Sequence, residues 1–265
     1  MFRIHHILKA PDRIVPWGEK EKYLHWFGLT DGLLWIRAGD SVIYEYAEPH
    51  EGDWGEPVIY NDYQLSRFAE DLLDLTPLIP ESLPEELYGA AETMGRDLRD
   101  WNLLYTDLSD DEYDRFCEEA YEPLSGWFYG RCMSSAHLKG GLYTGFFRRG
   151  GRIKIVWDSD IREIWRYPCG TYEMRYEDFA REVSRFVSSF LRDMDSQTRE
   201  VAGKGIPGIY VDSSALIREN SRRREIFSRQ LEYLYAESAG KTDWKRITDL
   251  NERMRRETRI RKGRD

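Results

Sequence analysis

The chain has 265 residues, 41% of them hydrophobic and 14% aromatic, with a formal net charge of −9. That composition excludes an intrinsically disordered chain, and the length suffices for one large domain or two small ones. No run approaches the roughly 18–20 apolar residues of a membrane span, the N-terminus lacks a secretory pattern, and three cysteines are too few for a disulfide framework, so a cytoplasmic protein with reduced thiols is expected.

Residues 1–60 read as β structure. FRIHHIL, YLHWFGL, GLLWIRAG and SVIYEYA are short runs rich in aromatic and β-branched residues, separated by turn signals. Asp31-Gly32 and Ala38-Gly39-Asp40 supply tight turns, which predicts an antiparallel meander, and EPHEGDWGEP reads as a polar loop. Helical spacing begins after Asn61 or Asp62, either of which could cap a first helix through Leu65, Phe68, Ala69, Leu72 and Leu75. Leu87 to Leu104 reads as a second helix and Asp110 to Tyr121 as a third, with acids crowding its positive end.

The β pattern returns after Gly140 as a hairpin, LYTGFFRR and RIKIVWDS, turning at Gly150-Gly151. A strand near Gly170–Met174 leads into a strongly amphipathic helix marked by Phe179, Val183, Phe186, Val187, Phe190, Leu191 and Met194. Gly203–Gly208 breaks the pattern. Ser213 to Ala239 reads as a helix, and the basic tail 241–265 has helical spacing with few apolar residues. The expected fold is α+β: an antiparallel sheet from the N-terminal meander and the central hairpin, packed with acidic helices and C-terminal helices. The expected division is a core domain over 1–204 and a helical extension over 205–265.

Charge divides the chain. Residues 45–122 carry 23 acids against 4 bases, whereas residues 123–265 carry 29 bases against 20 acids. Such polarity can steer a partner toward one face, although solvated helix faces would look the same.

Catalytic signatures are missing. Gly203–Gly208 lacks the Lys-Ser/Thr ending of a phosphate loop. Cys117, Cys132, His137 and Cys169 have no zinc spacing and read as buried structural thiols beside a histidine. No G-x-S-x-G elbow occurs. The acidic runs near Glu45–Asp53 and Asp107–Glu119 read as solvated loops and faces. No catalytic residue, metal site or cofactor is assigned, and whether the chain is an enzyme stays open.

The distinctive segment is Leu24-His25-Trp26-Phe27-Gly28-Leu29-Thr30-Asp31-Gly32, followed by Trp35. As a strand it would put His25 and Phe27 on one face and Leu24 and Trp26 on the other. A sheet covered on both sides makes these core residues, and an open sheet makes them a recognition surface. Together with Pro16-Trp17-Gly18 and the strand–strand–helix pattern ending in Phe179–Phe190, the segment resembles an uncharacterised bacterial family, common in actinobacteria. Its members carry a Trp-Gly turn and an HWFGLTDG motif. The likeness spans about residues 1–195 and implies no catalytic residues.

Three functions fit these residues. The leading one is a binding protein that recognises a protein partner with a basic surface, an immunity or defence-linked factor being one such role. Its candidate contacts are His25, Trp26, Asp31, Trp35, His50 and Trp54. The alternative is a hydrolase-like enzyme with an acid–base site near His25 and His50. The third is nucleic-acid association through Arg222, Arg223, Arg224, Arg255 and Arg256, which the acidic remainder opposes. No membrane is expected among the partners, and the oligomeric state is not assigned.

Overall fold

The computed structural model describes residues 1–133, 138, 140–236 and 242–262. The fold is α+β, with two antiparallel sheets. The first contains β1 (Phe2–Leu8), β2 (Asp31–Ala38), β4 (Glu45–Glu51) and β5 (Pro57–Gln64) in the order β1-β2-β5-β4, with β3 (Ser41–Ile43) paired to β2. The second contains β6 (Cys132–Met133), β7 (Tyr143–Arg149), β8 (Arg152–Asp158) and β9 (Cys169–Arg175) in that order.

The hairpin turns at Gly39 and Gly150 form as expected, both with positive φ. Four other expectations are corrected. YLHWFGL is not a strand, because β2 is already flanked by β1, β3 and β5 and offers this segment no edge. Asp31 and Gly32 form no turn; they begin β2, opposite Gln64 and Tyr63. EPHEGDWGEP is largely the β4–β5 hairpin. Asn61 and Asp62 lie within β5, and Gln64 precedes the first helix instead.

The helices are α1 (Leu65–Asp74), α2 (Glu85–Ala90), α3 (Met94–Leu103), α4 (Asp110–Phe116), α5 (Glu122–Tyr129), α6 (Tyr176–Lys204), α7 (Ser213–Glu232) and α8 (Trp244–Lys262). The single helix expected over Leu87–Leu104 is two, broken at Ala91–Thr93. The break frees the Tyr88 carbonyl, which accepts a hydrogen bond from the buried Lys154 ammonium at 3.1 Å. Ser109 and Glu112 close a capping box on α4, which runs through a π-helical turn at Cys117–Tyr121 into α5.

Alternation along β7 and β8 feeds two cores. Phe146, Ile153, Ile155 and Trp157 face the larger one, with Phe179, Phe186 and Phe190 of α6, Phe68 of α1 and Phe227 of α7. Phe147 and Val156 face a smaller one, built from α2 to α5 and closed by Ile247 and Met254 of α8. Tyr44 links the sheets: it is buried at a positive φ of 68°, and its hydroxyl meets Thr144 Oγ1 at 3.2 Å. Cys132 is buried and Cys117 half-buried, but Cys169 is exposed, contrary to the expectation of three buried thiols. Cys169 lies on the edge strand, where one face has no cover. His137 lies outside the described residues. No helix among the described residues is long and apolar enough to cross a membrane.

Candidate functional site

The long connection from β1 to β2 carries the distinctive segment and is shaped by its own backbone. Trp17 and Tyr23 exchange hydrogen bonds of 3.0 and 2.9 Å, closing a loop over Gly18. Gly18 has φ +89°, and a Cβ there would fall 2.3 Å from the Glu21 carbonyl oxygen, so the Trp-Gly turn has a steric cause. The segment is then tied to the stretch before α7: Leu24 N donates to Tyr210 O at 3.1 Å, and Tyr210 N donates to Lys22 O at 2.8 Å.

The expected alternation is present without the strand. Leu24 and Trp26 are buried, while His25 is exposed and Phe27 half-buried. Trp26 is a core residue that also lines a cleft beside α7, and its indole N–H donates to Asn220 Oδ1 at 2.9 Å between α6 and α7. Most of the remaining motif serves the fold. Thr30 Oγ1 donates to the Phe27 carbonyl at 2.7 Å and lies 3.0 Å from Ser66 Oγ. Gly32 is required because a Cβ would meet the Ile7 carbonyl oxygen at 2.3 Å.

What remains at the surface is aromatic. His25 packs edge-to-face on Trp17 at 4.4 Å, with Tyr23 and Phe27 within 6.3 Å of its ring. Trp17, Tyr23 and Tyr210 stay 38%, 39% and 60% exposed, far more than core rings would be. Beside them opens a cleft of about 340 Å³ between residues 24–27 and α7, bordered by Asp212, Glu219 and Arg223. Burial lowers the His25 pKa and so favours the neutral ring. Burial also pushes Glu219 up, but hydrogen bonds and charge from Arg223 and Arg222 outweigh it and hold the carboxyl below its ordinary value.

The other candidate residues gather elsewhere, on and around the outer face of the first sheet. Asp31 is buried and paired with Lys9 at 3.1 Å, and Lys9 also reaches Asp53 at 3.3 Å. Burial raises the Asp31 pKa against the pull of Lys9. Trp35 stacks between His5 and Tyr60, at 4.9 and 4.3 Å, so its faces are taken by its own neighbours. Trp54 is 51% exposed, and its indole N–H donates to the Arg13 carbonyl at 2.8 Å. His50 lies 3.3 Å from Asp62, beside Tyr46, at a pocket of about 230 Å³ that Glu48 and Glu163 also line. The His25 and His50 of the enzyme reading thus border different pockets.

Sequence reasoning missed Trp17, Tyr23 and Tyr210 as surface contacts. Trp17 was legible as part of the Trp-Gly turn, but Tyr210 joins only because the chain returns after α6 to bond with Lys22 and Leu24.

The arginines of the nucleic-acid reading are largely occupied. Arg222 and Arg223 pair with Glu219, Arg223 also with Glu70, and Arg224 with Asp195. The Arg223 guanidinium lies 5.2 Å from the centre of the Trp26 ring. Arg255 and Arg256 are exposed on α8. The acidic block is neutralised only in part. Glu45, Glu70, Glu81, Glu85 and Glu92 pair with Arg166, Arg223, Arg131, Arg149 and Lys154. Asp107, Asp110, Asp111, Glu112, Asp114, Glu118, Glu119 and Glu122 are exposed, and among the described residues no ion pair reaches them.

Among the described residues no group of three or more His, Cys, Asp or Glu could hold a metal ion. In comparison with known proteins, residues 3–250 match the family model described as a family of unknown function (DUF5984). No curated protein and no solved structure matches the chain.

Proposed function

The chain belongs to this family of unknown function, so its role must be argued from its own surfaces, and we propose that it is a binding protein that recognises a protein partner. The observation that carries this reading is the exposed aromatic surface of Trp17, Tyr23, His25 and Tyr210 at the mouth of the cleft beside α7. Tyrosine and tryptophan give large, rigid contact area at small entropic cost, which is why they anchor interfaces. The unpaired acids over 107–122 favour a partner with a basic surface and fast, salt-sensitive association. An immunity or defence role would make that partner a basic toxin, and rescue of toxin-expressing cells by co-expression would test it.

The test is capture of partners from the source cell by the full chain and by two variants. Trp17→Ala with Tyr210→Ala is expected to weaken capture of one defined partner at least tenfold, since anchor truncations cost about 2 kcal/mol or more each. Asp110→Lys with Asp111→Lys is expected to slow association and flatten its salt dependence. A partner that binds both variants as well as the parent would remove the reading.

His50 against Asp62 favours a second reading, acid–base hydrolysis at the pocket that Glu48 and Glu163 border. Turnover of a simple ester, amide or phosphoester that His50→Ala abolishes would support it. No turnover across such a panel would discard it.

A further inference from the structure

Open sheet edges expose unpaired N–H and C=O groups, and proteins close them with charges, bulges or covering chain. In the first sheet each edge is covered in part. On β1, Ile4 N donates to the buried Glu182 carboxylate at 2.7 Å, and the Arg185 guanidinium donates to the Ile4 carbonyl, both from α6. On β4, residues 164–166 take the place of a neighbour: Ala47 N donates to Ile164 O at 2.8 Å, and Arg166 N to Glu45 O at 2.9 Å.

The second sheet ends differently. Its β6 edge is two residues long, but β9 is seven. Tyr176 N donates to Gly151 O at 2.9 Å, continuing the register in which Arg175 faces Arg152. Bonded pairs alternate along an antiparallel ladder, so the bonds to β8 fall on Met174, Tyr172 and Gly170. The backbone groups of Cys169, Thr171 and Glu173 and the N–H of Arg175 therefore point off the sheet, and among the described residues no further strand pairs with β9 there; the Arg175 carbonyl lies at the N-cap of α6. Beside this edge runs a groove of about 520 Å³, bordered by Tyr172 and Met174 of β9, Phe2 and Arg3 of β1, and Arg181 of α6.

The strand is complementary to itself. Turned antiparallel about Tyr172, it sets Cys169 against the partner's Arg175, Thr171 against the partner's Glu173, and Gly170 against the partner's Met174. The outward groups then face one another over all seven residues, and no like charges meet. Of the two neighbouring registers with outward groups facing, the one centred on Glu173 sets that carboxylate against its own copy, which like-charge repulsion disfavours, and the one centred on Thr171 pairs fewer residues of the strand. We propose that β9 is the docking edge for a second copy of this chain, joining two four-stranded sheets into one of eight strands. The groove gives the incoming Tyr172 ring a place beside Phe2.

Sedimentation velocity of the full chain tests this. The parent is expected at twice the 31.5 kDa chain mass. Thr171→Pro and Glu173→Pro each remove one outward N–H and no bond to β8, so both variants are expected to keep the parent's far-UV spectrum and fall to half its mass. Arg175→Cys tests the register without weakening the strand. Directly bonded antiparallel neighbours lie about 5.5 Å apart at Cα, within disulfide reach, so the variant is expected to cross-link to the partner's Cys169 under mild oxidation. Cys169→Ser in the same chain is expected to abolish that cross-link. A monomeric parent, a dimer that survives both prolines, or a dimer that never cross-links would each overturn the proposal.

Discussion

The two faces of the β6–β9 sheet are covered by cores of different character. On one face, Phe146, Ile153 and Ile155 join Phe179, Phe186 and Phe190 of the long helix α6 in one apolar cluster. On the other face, short helices bring Trp101, Phe116 and Phe128 against Phe147 and Val156, and charged groups are buried among them. Lys154 is 4% exposed, and Arg131 and Glu81 form an ion pair in which both side chains are almost fully covered.

Helix length explains the difference. Every helix leaves its last four carbonyls without internal partners, and a short helix that ends inside a core buries them. Lys154 donates to the Tyr88 carbonyl in the last turn of α2, and Arg131 donates to the Trp127 carbonyl in the last turn of α5, at 3.0 Å. A cation at a helix C-terminus also meets the negative end of its dipole. The 29-residue α6 ends at Lys204, where Gly205 turns the chain away with φ +66°, so its C-terminus needs no buried cation.

The largest test of this contrast pits one substitution in each core against the other. Phe190→Ala is expected to cost about 3–5 kcal/mol by opening a cavity. Glu81→Ala is expected to cost about 3–5 kcal/mol by leaving Arg131 buried without its counter-charge. The repair should differ. Glu81→Leu combined with Arg131→Met is expected to recover most of the second loss, whereas no charge change repairs the first. Denaturant melts of the three variants check this, and an unrecovered double variant would break the contrast.

A smaller effect is expected at the lid of the smaller core. Glu257 of the basic α8 accepts from Trp101 Nε1 and Tyr105 OH, both at 2.7 Å, so an acid on the basic helix meets donors of the acidic region. Glu257→Ala is expected to lose about 1–3 kcal/mol and to free α8 first, seen as faster amide exchange confined to that helix.

The smallest test sharpens the other side. Asp71 of α1 has one buried carboxylate oxygen without a hydrogen-bond partner. Burial, only partly opposed by Arg67, raises its pKa from 3.8 to about 6. A raised pKa means that the folded state favours the protonated form. The stability it contributes is full below pH 3.8 and is lost as pH rises through about 6. Asp71→Asn is therefore expected to gain about 1–2 kcal/mol at pH 7.5, with the gain vanishing by about pH 4. Thermal melts across that window check the sign.

Regular elements were legible where one face dominates. The apolar stripe of α6 and the Gly150 hairpin carry their own periodicity, and both appear as expected. The alternation of Leu24 and Trp26 against His25 and Phe27 was also legible, although not which pair would be buried, and no strand forms there. The short helices were harder. Nothing within residues 87–104 signals that Lys154, far along the chain, claims the Tyr88 carbonyl and so favours a break.

The same division holds for the candidate site. The sequence alone determined the α+β class, the turns at Gly39 and Gly150, the amphipathic α6 and the excess acid of residues 45–122, because period, turn chemistry and charge are local properties. Tertiary structure decided which motif residues reach solvent, which acids find counter-charges, and which sheet edge stays open. Those outcomes depend on contacts between distant segments. Trp26 finds Asn220, Leu24 finds Tyr210, and Ile4 finds Glu182, pairings that no local pattern encodes.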